Sequence, residues 1–219
     1  MLFQLPPPGV LTANGASDPL RFYYHPLVGR IFAARLDTGL RLLGGRSRRL
    51  LEVGYGSGLL MPTLSRLTDE LCGADLEAEP PGLREALAQL GASPAELVRA
   101  DVASLPFPDR HFDAVVAFSI FEHLRPEALA GAAREVARTL EPGGRLLIGC
   151  PAVHRAMNLA FALIGFGNIE EHHFSDLRQV VAACEPWFSV EKRAAWPALM
   201  SRAPLGLAPY GAVLLRRRA

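Results

Sequence analysis

Cysteine is scarce in this chain of 219 residues, which contains Cys72, Cys150 and Cys184 and no others. Three cysteines, far apart and without a CxxC pair, offer neither a disulfide framework nor a zinc knuckle, so a reducing, cytoplasmic setting is expected. Lysine is scarcer still: Lys192 is alone among 23 basic residues, which 22 acidic ones offset to a net charge of +1. A chain so balanced has no long-range field to gather nucleic acid or acidic lipid, and the arginine bias reads as genome composition. No apolar run reaches the roughly 20 residues that a membrane helix needs. The longest, around 156–167, is interrupted by Asn158 and Gly165. Before Arg21 there is no basic residue, and Pro6-Pro7-Pro8 breaks the apolar start, so no secretory signal is expected. Internal repeats and low-complexity tracts are missing too.

What is present is a composition fit for a core: half of the residues are hydrophobic and 21% are charged. That suits one α/β domain and argues against disorder. Residues 1–20 read as a loose arm. From Phe22 to Leu43, Leu27, Val28, Ile31, Phe32, Leu36, Leu40 and Leu43 recur at spacings of three and four, an amphipathic helix broken near Pro26 and stopped by Gly44-Gly45. Strands are expected at Leu50–Val53, Leu71–Asp75, Glu96–Arg99, Ala114–Ser119 and Arg145–Cys150. Helices are expected from Gly58 to about Leu67, over Gly82–Leu90 and over Pro126–Leu140, the last ended by Gly143-Gly144. Ser175–Cys184 reads as a further helix, with late strands at Ser189–Ala195 and Ala212–Arg216. Alternation of this kind implies βαβ units and a doubly wound, Rossmann-like, mostly parallel sheet. The organisation expected is a single domain: arm 1–20, helical cap 21–45, cofactor-binding core 48–151, and a substrate-side insertion with the last strands over 152–219.

The informative segment is Glu52-Val53-Gly54-Tyr55-Gly56-Ser57-Gly58. A strand entering closely spaced glycines and then a helix is how a doubly wound fold holds a nucleotide-like ligand, with the helix start expected to face an anionic group. A dinucleotide fingerprint needs GxGxxG, but the third glycine would fall on Leu59 or Met61, so a nicotinamide dehydrogenase is disfavoured. Asp75 closes the next strand at the distance where a carboxylate can take both ribose hydroxyls. Asp101 and Val102 follow the third strand, where an acceptor could meet a purine amine.

These motifs in this order resemble class I S-adenosylmethionine-dependent methyltransferases, in particular the small-molecule branch similar to ubiquinone/menaquinone methyltransferases. The resemblance rests on Glu52–Gly58, Gly73-Ala74-Asp75-Leu76, Ala100-Asp101-Val102 with Leu105-Pro106-Phe107, Phe112–Val116, Ser119–Leu124 and Leu140–Leu146, and covers roughly 48–151. It implies a seven-stranded sheet with an N-terminal helical cap and S-adenosyl-L-methionine as cofactor, leaving S-adenosyl-L-homocysteine. Gly54, Gly56 and the nearby backbone of Tyr55 and Gly58 would hold the methionine part and Glu52 its amino group. Asp75 and Leu76 would serve the ribose, Asp101 and Val102 the adenine, and Ser119 would lie near the methionine part at the substrate entry. Tyr55 departs from the small residue or cysteine common at its position, and Pro80-Pro81 after the second-strand acid is unusual.

A sulfonium donor needs no protein nucleophile, so the expected reaction is in-line methyl transfer to a small organic acceptor, with a base only where the acceptor must lose a proton. His123, His172 and His173 are the candidates, with Glu122 and Tyr24 behind them; each has a bland reading as a packing or turn residue. Adjacent histidines in a strand point apart and no third ligand stands at metal spacing, so no metal is expected. Segment 151–174, with Met157, Leu159, Phe161, Leu163, Ile164 and Phe166, reads equally as an apolar acceptor pocket or as a core or dimer helix. Phe22-Tyr23-Tyr24-His25 could close as a lid. A non-catalytic cofactor-binding scaffold on the same fold is the second reading.

Overall fold

The computed structural model describes residues 2–15, 18–26, 28–152 and 173–219. Leu27, His172 and nearly all of the segment 151–174 lie outside the described residues. One sheet of seven strands organises the chain: β1 (Ser47–Val53), β2 (Thr68–Asp75), β3 (Glu96–Arg99), β4 (Phe112–Phe118), β5 (Leu140–Pro151), β6 (Phe188–Trp196) and β7 (Tyr210–Arg217), in the order β3-β2-β1-β4-β5-β7-β6. The first five run parallel, and β7 pairs antiparallel with both β5 and β6.

The near-continuous apolar strands follow from cover on both faces. Successive side chains of a strand point to opposite sides, so Leu51, Val115 and Ala117 enter one buried cluster while Leu50, Ala114 and Val116 enter the other. The first is closed by Ala133 and Val136 of α5 (Pro126–Thr139) and Val180 and Cys184 of α6 (Leu177–Cys184). The second is closed by Phe32, Leu36, Leu40 and Leu43 of α2 (Val28–Leu43) and by Leu83 and Leu87 of α4 (Leu83–Gln89). Each such leucine, removed from water, contributes about 1.5–3 kcal/mol.

Three local expectations are corrected. The helix after the glycine loop is a single turn, α3 (Met61–Leu64), rather than a run from Gly58 to Leu67. Pro62 in its first turn donates no N–H, and the chain leaves it through short turns at Ser65–Leu67 to enter β2. So short a helix presents no macrodipole to a ligand. Next, α5 ends at Thr139, with Leu140 already extended, and Gly143-Gly144 falls within β5 rather than stopping the helix. Finally, α6 begins at Leu177 with Asp176 as its N-cap, rather than at Ser175. The Asp176 carboxylate accepts the Gln179 N–H while the Gln179 side chain accepts that of Asp176. Ser175 is instead buried and donates to the Leu124 carbonyl at 2.7 Å.

The arm expected to be loose is tied down. The Leu2 and Phe3 amides donate to Asp37, Gln4 N donates to Thr63 Oγ1 at 3.2 Å, and Phe3 is buried against Tyr23. Phe22 and Tyr23, on α1 (Leu20–Tyr23), pack on the Phe32 ring inside the same cluster. They are core residues rather than a lid.

Candidate active site

The strand ends β1, β2 and β4 meet at one edge of the sheet, and the glycine loop rises between them. Gly54, Gly56 and Gly58 all have positive φ, at +75°, +50° and +74°, a region that L side chains enter at a cost. At Gly54 space also decides: a Cβ there would overlap the Ile120 side chain. Its N–H donates to the Ala74 carbonyl at 2.7 Å.

Asp75, half-buried at the end of β2, holds the loop from the other side. One carboxylate oxygen accepts the Gly56 N–H at 2.8 Å and the other accepts the Glu77 N–H at 2.9 Å. Glu52 lies beneath the loop, 5% exposed, and its Oε2 has no hydrogen-bond partner among the described residues. Burial, and then the Asp75 charge, push its carboxyl well above the usual carboxylate range. Tyr55 points away from water and fills the space beside Gly73, where a Cβ would come within 2.8 Å of its ring. Burial is the main reason that its phenol is pushed up to about 12. Around this edge stand Leu76, well exposed; Asp101, exposed, with Oδ1 accepting the Ala103 N–H at 2.8 Å; and Val102, buried.

Sequence reasoning missed Asp18. This residue of the arm accepts the Asn14 N–H at 2.9 Å and the Leu20 N–H at 2.8 Å, and its Oδ2 lies 3.2 Å from where a Gly56 Cβ would be. The Asp-Pro step before α1 is a legible helix-start signal, but nothing local says that the carboxylate lands on the glycine loop.

On the β4 side, Ser119 turns the chain with φ +57°, held by its N–H to the Gly149 carbonyl at 2.8 Å. A 3₁₀ turn over Phe121–His123 follows, anchored by the fully buried Phe121. It buries the Glu122 side chain and exposes that of His123. The Glu122 carbonyl accepts the Phe174 N–H at 2.8 Å, which brings His173 against His123 with ring centroids 4.8 Å apart. The structure thus joins two of the three candidate histidines, and His172 lies outside the described residues. Beneath them, Cys150, Tyr210 and Arg35 form a buried polar group with Glu122. Burial pushes the Glu122 carboxyl up, against the pull of His123 and Arg35, and pushes the Cys150 thiol and Tyr210 phenol well above their usual values. Tyr24, the other weak base candidate, donates its hydroxyl to the Pro6 carbonyl at 3.2 Å.

Residues 51–148 match the methyltransferase domain family, over the strands and loops just described. The ubiquinone/menaquinone biosynthesis C-methyltransferase of Pseudomonas savastanoi pv. phaseolicola is 39% identical over 116 residues, which is 50% of this chain and 44% of that protein. The chain therefore aligns with less than half the length of this curated relative. The N-methyltransferase NodS of Bradyrhizobium japonicum, solved with S-adenosyl-L-homocysteine, superposes with TM-score 0.64 at 16% identity, covering 94% of this chain and 95% of that one. The [4+2]-cyclase SpnF superposes with TM-score 0.62 at 19% identity, covering 86% and 82%. The chain thus shares the fold of these structures over most of its length, and the cyclase shows that the fold alone does not name a reaction. Among the described residues, no helix is long and apolar enough to cross a membrane.

Proposed function

We propose that the chain transfers a methyl group from S-adenosyl-L-methionine to a small organic acceptor. The observation that carries this reading is the pairing at the sheet edge: Asp75 accepts the Gly56 N–H above a buried Glu52 whose Oε2 lacks a partner. The donor set fits the cofactor. A buried, partnerless carboxylate oxygen suits an ammonium group, and a half-exposed carboxylate beside the loop suits a ribose diol. Three glycines with positive φ keep the backbone open to close approach.

Bound there, S-adenosyl-L-methionine supplies an electrophilic methyl on a sulfonium. The backbone of Gly54, Tyr55, Gly56 and Gly58 holds the methionine part, and Glu52 takes its amino group. Asp75 and Leu76 take the ribose, Asp101 and Val102 the adenine. Ser119 borders the methionine part and the acceptor entry. With no nucleophile to provide, the chain acts by alignment, a contribution of roughly 7–11 kcal/mol in favourable cases. A proton on the acceptor is handled at the Glu122–His123–His173 cluster, beside Ser119 on the same edge. The similarity to a quinone C-methyltransferase supports a small-molecule acceptor, and the near-neutral charge supports a partner other than nucleic acid. A cytoplasmic setting accords with three free, buried cysteines.

Calorimetric titration with S-adenosyl-L-homocysteine, with NAD as control, tests the reading. Micromolar binding of the former alone is expected. Binding of NAD, or of neither, overturns it.

A further inference from the structure

We infer that Glu122, His123 and His173 form a binding site for one divalent first-row transition-metal ion. Each residue offers one donor atom, and these atoms lie within 4.8 Å of one another. Two imidazoles and a carboxylate with further positions open are the donor set of zinc and iron(II) sites, whereas magnesium and calcium prefer all-oxygen surroundings. Metal–donor bonds of about 2.0–2.2 Å place neighbouring donors about 3.4 Å apart in a tetrahedral site. The donors must therefore close in by up to about 1.4 Å on binding.

A second observation points to a cation. The Glu122 side chain is fully buried, and neither oxygen meets a donor at hydrogen-bonding geometry among the described residues. A carboxylate is costly to bury without a partner. Cys150 beside it is a weak donor, and the Arg35 guanidinium, though near enough to act through its charge, makes no ion pair with it. The site is also held in place before any ion arrives. Phe174 N and Ser175 N both donate to the Glu122 carbonyl, Ser175 Oγ donates to the Leu124 carbonyl, and Arg125 lies 4.7 Å from the centre of the Phe174 ring. Donors some fifty positions apart are thereby fixed by backbone contacts, as a metal site requires. An ion held there would take over the cluster's part in handling an acceptor proton, by lowering the pKa of an acceptor oxygen or nitrogen bound to it. The binding claim itself does not depend on methyl transfer.

The test is metal binding by the full chain, stripped with chelator and titrated with Zn²⁺, Mn²⁺ and, as control, Mg²⁺, without cofactor. One equivalent of Zn²⁺ or Mn²⁺ is expected, with a raised melting temperature and with affinity at least about tenfold weaker in His123→Ala and His173→Ala. Co²⁺ should give visible ligand-field bands that both variants lose. His123 is exposed, so His123→Ala keeps the fold, which its melting curve without metal checks, even if Glu122→Gln does not. Absence of stoichiometric binding, equal binding by the histidine variants, or preference for Mg²⁺ overturns the site. S-adenosyl-L-homocysteine titration of the same metal-free samples reads the methyltransferase assignment separately.

Discussion

The edge of the sheet is built by two different methods on its two sides. Around β1 and β2, every unusual backbone angle belongs to a glycine, at 54, 56 and 58, and the two acids that frame the loop, Glu52 and Asp75, follow one another along a single βαβ unit. Around β4 and β5, the left-handed position is occupied by Ser119, and the polar groups that meet there, Glu122, Cys150, His173 and Tyr210, come from four separate segments. One side relieves strain by residue choice and assembles locally. The other stores strain and assembles at long range. On the function proposed above, a shared cofactor would suit the first arrangement and a variable acceptor pocket the second.

The largest effect should come from breaking the local side. Gly54→Ala sets a Cβ against Ile120 at a φ of +75°. Strain and overpacking together cost about 2–5 kcal/mol, so S-adenosyl-L-homocysteine affinity should fall by about 30-fold or more. Unchanged affinity by calorimetry would mean that the loop is not the cofactor cradle. Asp75 comes next. Asp75→Ala removes acceptors from the Gly56 and Glu77 amides as well as from the ribose proposed to lie there, and charged hydrogen bonds contribute roughly 1.5–3 kcal/mol each. Asp75→Asn keeps one carbonyl acceptor and should lose about tenfold in affinity, clearly less than alanine. Equal losses would give Asp75 a purely charge-based role.

The same contrast decides what was legible in the chain. The meeting of Glu52–Gly58 and Asp75 at one edge of the sheet could be read because it depends on spacing along one strand–loop–strand run. Both faces of the sheet could be read because Leu50 and Leu51, or Val115 and Val116, are apolar in succession. The meeting of His173 with His123 could not be read: two backbone bonds to the Glu122 carbonyl make it, and no side-chain pattern encodes them. Asp18 escaped for the same reason. The one-turn α3 was overcalled because glycine-to-apolar patterning outweighed Pro62 in the reading, while in the fold the proline and the early start of β2 at Thr68 win.

Acid titration joins the two sides. Glu52 and Glu122 are both buried, with carboxyls pushed up mainly by that burial. Each stays protonated in the folded chain over a range where the unfolded chain has released its proton. Below the ordinary carboxylate range the two states bind equal protons and stability is complete. As pH rises toward the folded pKa the unfolded state is favoured, by up to about 1.4 kcal/mol per pH unit per group. Without ligand or metal, the melting temperature should therefore fall from mildly acidic toward neutral pH. Glu52→Gln and Glu122→Gln should each flatten part of that fall. A ligand ammonium over Glu52, or a metal ion on Glu122, should flatten its own part by favouring the ionised form. A melting temperature that rises over this interval, or is untouched by both substitutions, would place the buried charges elsewhere.

The smallest effect is the most direct measure of strain on the β4 side, and there the sign matters more than the size. A serine at φ +57° costs about 1 kcal/mol or somewhat more. Ser119 stays there because its N–H reaches the Gly149 carbonyl across the β4–β5 pair. Glycine can make the same bond without the Cβ penalty, yet it gives the unfolded chain more freedom, which returns about 0.4–1 kcal/mol. Ser119→Gly should therefore leave the fold equally stable or raise its stability by up to about 1 kcal/mol in denaturant unfolding, while weakening turnover. At Gly54, Gly56 or Gly58 the opposite exchange should cost stability. If Ser119→Gly instead destabilises by more than about 1 kcal/mol, the serine hydroxyl is a structural anchor, and the contrast between a relaxed β1–β2 side and a strained β4–β5 side fails at the residue that defines it.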